Sequence, residues 1–339
     1  MSLRFEHIAH AYENVAALHD ISFTAPSGEI TCLLGSSGCG KSTLLGLAAG
    51  LLSVQRGRVS VGDEVLAEPG MNPPPEARPV GLVFQDGALF PHMTIAQNVG
   101  FGLGSSDQGA VDGWLEAVGL GGLGARYPHE LSGGQQQRAA LARAMAPGPQ
   151  VLLMDEPFAS VDIVLRRRLR RDCRRLLRER GATTVLVTHD PEEALDVADR
   201  IAVMDAGRIV QFGTPEELHE APKAASAGAI FGGAQVVRAK RQGEQFLTAF
   251  GNWPVAAVSG DVPDASMLDL LVHADQLDCV PDAEGLALRD LQPLGSATRV
   301  FLTGSGGEEI AAETPDTIDP AARYRLQPKD LSLRAFARV

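Results

Sequence analysis

Short apolar runs recur along the first two-thirds of the chain. Ile30–Leu34, Val80–Phe84, Val151–Met154, Thr184–Thr188 and Ile201–Met204 are of strand length and apolar enough for burial on both faces. Helix-like segments lie between them, Lys41–Leu52 foremost. Strands alternating with helices predict parallel βαβ units and an α/β layer architecture. Pro69–Pro79 holds five prolines and predicts a loop. Residues 86–150 are rich in Gly and helix formers without a β run, which predicts a small helical insert. Arg166–Arg180 contains nine arginines, but Leu165, Leu169, Cys173 and Leu176 recur at helical spacing. That pattern predicts a surface helix with one apolar face and solvated arginines elsewhere; contact with anionic lipid is the minor alternative. Ala221–Gly233, rich in Ala, Gly and Pro, reads as a linker. Beyond it, short alternating runs such as Gln235–Arg238 and Thr298–Leu302 predict a small β-rich second domain. Leu270–Leu277 and Tyr324–Leu331 look alike there, a hint of internal repetition.

Length and composition narrow the class. A chain of 339 residues suggests two domains. With 45% hydrophobic and 21% charged residues it can build a sizeable core, which excludes general disorder. Leu44–Leu52, the longest apolar run, falls well short of the ~20 residues a membrane helix needs. The N-terminal residues lack a basic start followed by an apolar block, so no secretory signal is expected. A formal net charge of −12 argues against nucleic acid as the main partner. Cys32, Cys39, Cys173 and Cys279 are scattered, with no zinc-ligand spacing.

Three segments carry chemistry. Gly35-Ser36-Ser37-Gly38-Cys39-Gly40-Lys41-Ser42-Thr43 matches G-x-x-x-x-G-K-[ST] between a strand candidate and a helix candidate. Glycines let backbone N–H groups turn inward around phosphate oxygens, and the helix start adds its positive end. Lys41 is expected to reach the β- and γ-phosphates, and the Ser42 hydroxyl to ligate Mg²⁺. A plain Gly/Ser loop is the bland alternative, but the strand and helix around it favour nucleotide binding. Val151–Met154 runs into Asp155-Glu156, at the kind of strand end where open α/β sheets bind ligands. Asp155 fits a second Mg²⁺ contact through water, and Glu156 fits the base that polarises an attacking water. Leu131-Ser132-Gly133-Gly134-Gln135 then heads a helix, a second anion-binding helix start.

Leu131–Arg138 resembles the LSGGQ signature of the ATP-binding cassette family, and other motifs of that family follow in order. Gln85 resembles its Q-loop glutamine, Asp162 its D-loop aspartate, His189 its switch histidine and Tyr12 the aromatic that stacks on adenine. The likeness covers residues 1 to about 232, with one departure: the D-loop reads Ala159-Ser160-Val161-Asp162, where relatives often carry Ser-Ala/Asn-Leu-Asp. The resemblance implies an ATPase using ATP and Mg²⁺. Lys41, Gln85, Glu156 and His189 would serve catalysis, and Ser42, Gln85 and Asp155 the metal. Tyr12, Gly35–Thr43, Ser132, Gly133, Gly134 and Asp162 would hold the nucleotide. It implies a head-to-tail dimer, with each ATP between Gly35–Thr43 of one subunit and Ser132–Gly134 of the other.

Residues 233–339 resemble, more weakly, the OB-like β-barrel appended to importer ATPases, through Leu294–Leu302 and Arg325–Leu333. The implied role is the ATP-hydrolysing subunit of a bacterial importer, peripheral on the cytoplasmic face of the inner membrane. It would bind transmembrane permease subunits and act indirectly with a periplasmic solute-binding protein, without nucleic acid. In importer ATPases the segment Phe84–Thr94 faces the coupling helix of the permease; Phe90 and Met93 would be exposed for that or packed in the core. Arg126–Arg138 and Asp155–Ser160 look most like ferric-iron transport ATPases; sulfate/thiosulfate, polyamine, phosphonate and sugar import are the alternatives. A soluble ABC ATPase for DNA repair or translation is a second class, but neither paired cassettes nor a long coiled-coil insertion is visible. A module without turnover is a third, and intact Lys41, Glu156 and His189 argue against it.

Overall fold

The computed structural model describes residues 1–104, 108–159 and 161–338. They form two compact units, Met1–Glu216 and Glu217–Val339. In the first, β1 (Leu3–Tyr12), β2 (Val15–Ala25), β3 (Ile30–Leu34), α1 (Lys41–Ala49), β4 (Arg56–Val61), β5 (Glu64–Ala67) and β6 (Val80–Val83) lead into three helices, α2 (Ile95–Gly100), α3 (Val111–Ala117) and α4 (Gly133–Met145). Then come β7 (Val151–Asp155), α5 (Ile163–Glu179), β8 (Thr183–Thr188), α6 (Pro191–Val197), β9 (Arg200–Asp205) and β10 (Arg208–Gly213). Residues 86–150 carry α2–α4 and, among the described residues, no strand.

The central sheet has the order β10-β9-β3-β8-β7-β6; β9, β3, β8, β7 and β6 run parallel and β10 pairs antiparallel at the edge. All of β3 and β8 is buried, which is why these strands read as unbroken apolar runs. A second, antiparallel sheet, β2-β1-β4-β5, was not visible in the sequence pattern. Its period of two is broken: β1 shifts register between Phe5 and Ile8, where His7 has φ 52. Leu3, Phe5 and Ile8 still face one core with Leu44 and Leu47 of α1 and Leu153 and Val187 of the parallel sheet.

The helix predicted over Lys41–Leu52 stops at Ala49. Gly50 takes φ 82 and returns its N–H to the Gly46 carbonyl, a left-handed helix stop that a Cβ would strain. The Arg78 guanidinium also donates to the carbonyls of Leu47 and Ala48 at 2.7 and 2.9 Å, so the proline-rich loop caps this helix. That loop holds one 3₁₀ turn, Pro75–Ala77. The basic helix α5 forms, but its faces differ from expectation: Leu165 is exposed, whereas Arg170 is 2% exposed beside buried Leu169, Cys173, Leu176 and Leu177.

The boundary between the units falls within α7 (Pro215–Glu220), and α8 (Ala225–Gly232) follows, so the expected linker is largely a helix. Its alanines favour helix, and Ala225 and Ala227 are buried. Nine strands follow: β11 (Gln235–Gln242), β12 (Gln245–Thr248), β13 (Gly251–Pro254), β14 (Met267–Val272), β15 (Leu277–Pro293), β16 (Thr298–Thr303), β17 (Glu309–Thr314), β18 (Arg323–Pro328) and β19 (Arg334–Ala337). Two antiparallel sheets, β13-β12-β11-β14-β19 and β17-β16-β15-β18, enclose one core around Phe246, Trp253, Leu270, Val300 and Leu326, an OB-like β architecture. The long strand β15 bends at two register shifts. The similar segments starting at Leu270 and Tyr324 are each a strand running into a turn, but they belong to different sheets. Among the described residues, no helix is long and apolar enough to cross a membrane.

Candidate functional site

Register places the chemistry. Leu34 pairs with Thr188, Val83 with Met154 and Asp155 with Val187 across parallel strands. Gly35, Gln85, Asp155-Glu156 and His189 therefore leave one edge of the sheet, the carboxyl ends of β3, β6, β7 and β8.

The loop from Gly35 to Gly40 is shaped by close approach. A Cβ at Gly35 would sit 2.2 Å from the Met204 carbonyl oxygen, and one at Gly40 (φ 101) 2.8 Å from that of Ala17. Ser36, Ser37 and Gly38 are exposed in front of the positive end of α1, where an anion is favoured. Lys41 is buried, and its Nζ donates to the carbonyls of Gly35 at 2.8 Å and Ser36 at 2.9 Å, with Cys39 Sγ at 3.7 Å. The positive charge is thus held at the loop rather than in solvent. Tyr12, 48% exposed, stands at the end of β1 with its hydroxyl 3.2 Å from Thr43 Oγ1 and its ring edge-on to His10. A flat, accessible aromatic face beside the loop suits a nucleobase.

Ser42 Oγ donates to Asp155 Oδ1 at 3.2 Å, joining the loop to the strand end. Burial pushes the Asp155 carboxyl above its ordinary value and Glu156 adds to this, while Ser42 and Lys41 pull the other way. Glu156 adopts φ 42, a left-handed conformation rare for a residue with a side chain, and its N–H donates to the Val187 carbonyl at 2.9 Å. That turn aims the carboxylate at His189: Glu156 Oε1 and His189 Nδ1 are 2.9 Å apart. A carboxylate paired to an exposed imidazole can orient a water and exchange a proton with it.

Ser132 caps α4 in a reciprocal box: its Oγ accepts from the Gln135 N–H at 3.4 Å, and Gln135 Oε1 accepts from the Ser132 N–H at 2.9 Å. Ser132 and Gly133 remain exposed at this helix start. Ser42–Asp155 joins the Gly35–Thr43 loop to the end of β7, whereas the hydrogen bonds of Ser132 stay within its own helix start. Asp162 is exposed just before α5, and its carbonyl accepts from the Arg166 N–H at 2.8 Å. Ser160 lies outside the described residues. Gln85 is exposed beyond β6. Phe90 and Met93 are both half-buried, with Phe90 packed 4.6 Å from Phe101 and under Arg143.

Several supports had no legible signal. Arg143 donates to the carbonyls of Gly87 and Ala88 at 2.9 and 2.7 Å, holding the segment after Gln85. Fully buried Asn98 bonds the backbone of Phe90, Met93 and Thr94.

The ABC transporter family model matches residues 18–159. An Fe(3+) ions import ATP-binding protein of Pseudomonas fluorescens is 42% identical over 313 residues, covering 89% of this chain and 88% of the relative. The chain belongs to the ABC transporter ATPase family. A second Fe(3+) ions import ATP-binding protein, from Mesorhizobium japonicum, is 42% identical over 95% of this chain and 90% of its own. A sulfate/thiosulfate import ATP-binding protein of Agrobacterium fabrum is 38% identical over 96% of both. This ABC ATPase is accordingly an ATP-binding transport ATPase.

Proposed function

We propose that this ABC ATPase drives import of ferric iron, as a head-to-tail homodimer on the cytoplasmic face of the cell membrane. The observation that carries the cargo is the 42% identity to Fe(3+) import ATP-binding proteins along nearly the whole chain. The sulfate/thiosulfate relative spans slightly more of the chain at 38%, which makes those oxyanions the second reading. Permease subunits would receive the ATPase near Gln85–Thr94, and a periplasmic solute-binding protein would deliver the cargo to them.

In the proposed cycle Lys41 and the Gly35–Thr43 backbone bind the triphosphate and Tyr12 stacks on adenine. Glu156, oriented by His189, accepts the proton of the attacking water, and His189 contacts the γ-phosphate. Gln85 follows the γ-phosphate from the loop that leads to the permease. Ser42, Asp155 and Gln85 offer hydroxyl, carboxylate and amide oxygens, a donor set that suits Mg²⁺. When bound, Mg²⁺ neutralises charge on the β- and γ-phosphate oxygens. Among the described residues no group of three or more His, Cys, Asp or Glu side chains could hold a metal by itself, which fits an ion shared with phosphate. Ser132, Gly133, Gly134 and Asp162 of the partner subunit would close the site, because one chain supplies only half of it. ATP favours the closed dimer through contacts that the open one lacks.

Deleting the gene tests the cargo. Uptake of labelled ferric iron from iron-poor medium is expected to fall, while sulfate uptake stays unchanged. Intact iron uptake with loss of sulfate uptake would transfer the proposal to the second reading.

A further inference from the structure

The arginines of α5 have different fates. Arg167, Arg168, Arg171, Arg175 and Arg178 are exposed, but Arg170 is 2% exposed and inserts among three carboxylates. Its Nη2 donates to Asp190 Oδ2 and lies 3.6 Å from Glu193 Oε2, and its Nη1 lies 3.4 Å from Asp196 Oδ2. One turn earlier, Arg166 Nη2 donates to the carbonyls of Val161 at 3.0 Å and Ala159 at 3.4 Å. Asp190 directly follows His189 and caps α6, its Oδ1 accepting from the N–H groups of Glu192 at 2.9 Å and Glu193 at 3.4 Å. A single helix therefore grips the loop that leads into Asp162 and the turn that carries His189.

Stability does not explain this cluster. Buried ion groups are generally no more stabilising than well-packed apolar side chains of the same volume. The cluster's carboxylates come from one short stretch, Asp190, Glu193 and Asp196, that begins immediately after His189. A planar guanidinium fork does supply direction, fixing the groups it holds relative to one another.

We propose that Arg170 is a positioning residue for ATP hydrolysis: it fixes Asp190, and through it sets His189 against Glu156. Arg166 holds the approach to Asp162, so α5 carries both loops as one body. The inference rests on the proposed assignment of His189 and Glu156 to the chemistry.

The cluster has an internal titration. Burial lifts the Glu193 carboxyl to about 7 and Asp190 pushes the same way, against Arg170, the Thr188 hydroxyl and Arg166. Burial pushes the thiols of Cys32 on β3 and Cys173 on α5 upward, and the Glu193 charge adds to both. Raised above its unfolded value of 4.5, Glu193 gives its full stability share below that pH and loses it as pH rises through about 7. Arg170's grip runs the other way, since Glu193 gains its charge as pH rises. Rate and stability then respond oppositely to pH, which a merely structural role does not predict.

The test measures kcat, KM for ATP and melting temperature of the full chain across pH 6 to 8. Arg170→Lys and the volume-filling Arg170→Met are expected to lower kcat about 10-fold, with KM within about threefold. The ratio of wild-type to Glu193→Gln kcat is expected to rise with pH. Should the Arg170 variants fail to fold, that ratio and the kcat of Arg166→Lys decide the matter. His189→Ala serves as the reference: wild-type turnover there overturns the site reading itself. An inactive His189→Ala beside Arg170 variants with kcat within about twofold of wild type overturns this inference alone. So does a pH-independent Glu193→Gln ratio, or kcat that falls only in step with melting temperature.

Discussion

Residues 1–216 and 217–339 use apolar patterning to different ends. In the first unit, parallel strands must be joined by crossovers, so their carboxyl ends gather on one edge, where the following segments carry side chains such as Lys41 at the start of α1, Glu156 and His189. In the second, all strand pairs are antiparallel. Inward positions there hold packing groups such as Phe246 and Trp253. Its charged groups form solvent-facing pairs such as Arg325–Asp282 and Lys329–Asp278, which contribute little stability. Chemistry constrains residue type at a fixed offset, whereas packing constrains only volume and phase. The first unit is therefore written in motifs and the second in alternation.

The sharpest way to break this contrast is to damage the β unit. Trp253 is fully buried, and Trp253→Ala is expected to cost about 3–5 kcal/mol. Calorimetry should show the loss in the transition of residues 217–339, with ATP hydrolysis by the first unit kept at temperatures below that transition. Parallel loss of ATPase activity in the still-folded protein would mean that the β unit holds part of the chemistry.

The complementary change is Glu156→Gln, which keeps volume and the hydrogen bond to His189 but removes the carboxylate. Hydrolysis is expected to fall about 10²-fold or more while ATP affinity is retained. Equilibrium binding and steady-state turnover on the same preparation check both halves. Wild-type turnover would remove Glu156 as the base.

What the sequence made legible follows the same division. The strand ends bearing Gly35, Gln85, Asp155 and His189 stood out because buried parallel strands read as apolar runs stopped by chemical residues. The sheet of β1, β2, β4 and β5 did not, because bulges at residues such as His7 break the alternation on which strand reading depends. The segment at 225–232 reads as linker because its Ala and Gly content suggests flexibility, while its alanines favour the helix that forms. Arg170 was hidden among eight other arginines. Its position was the usable signal: it falls in the stripe of Leu169, Cys173 and Leu177, where a solvated arginine does not fit.

The smallest and most discriminating effect comes from one hydroxyl in each unit. The Tyr12 hydroxyl lies at the surface, 3.2 Å from Thr43 Oγ1, and the residue is 48% exposed. The Tyr324 hydroxyl is enclosed, donating to the Asp319 carbonyl at 3.0 Å and accepting from the Asp319 N–H at 2.9 Å. Tyr324→Phe leaves two backbone groups without that partner and is expected to cost about 1–2 kcal/mol of stability, with ATP KM unchanged. Tyr12→Phe keeps the aromatic face and is expected to leave both quantities within error, whereas Tyr12→Ala removes the face and should raise KM about fivefold, the weight of roughly 1 kcal/mol of base stacking. Thermal melts and ATP titrations of the three variants separate the two uses of tyrosine. If Tyr12→Ala left KM unchanged, or Tyr324→Phe altered it, the division between a chemical unit and a packing unit would fail at the level of a single side chain.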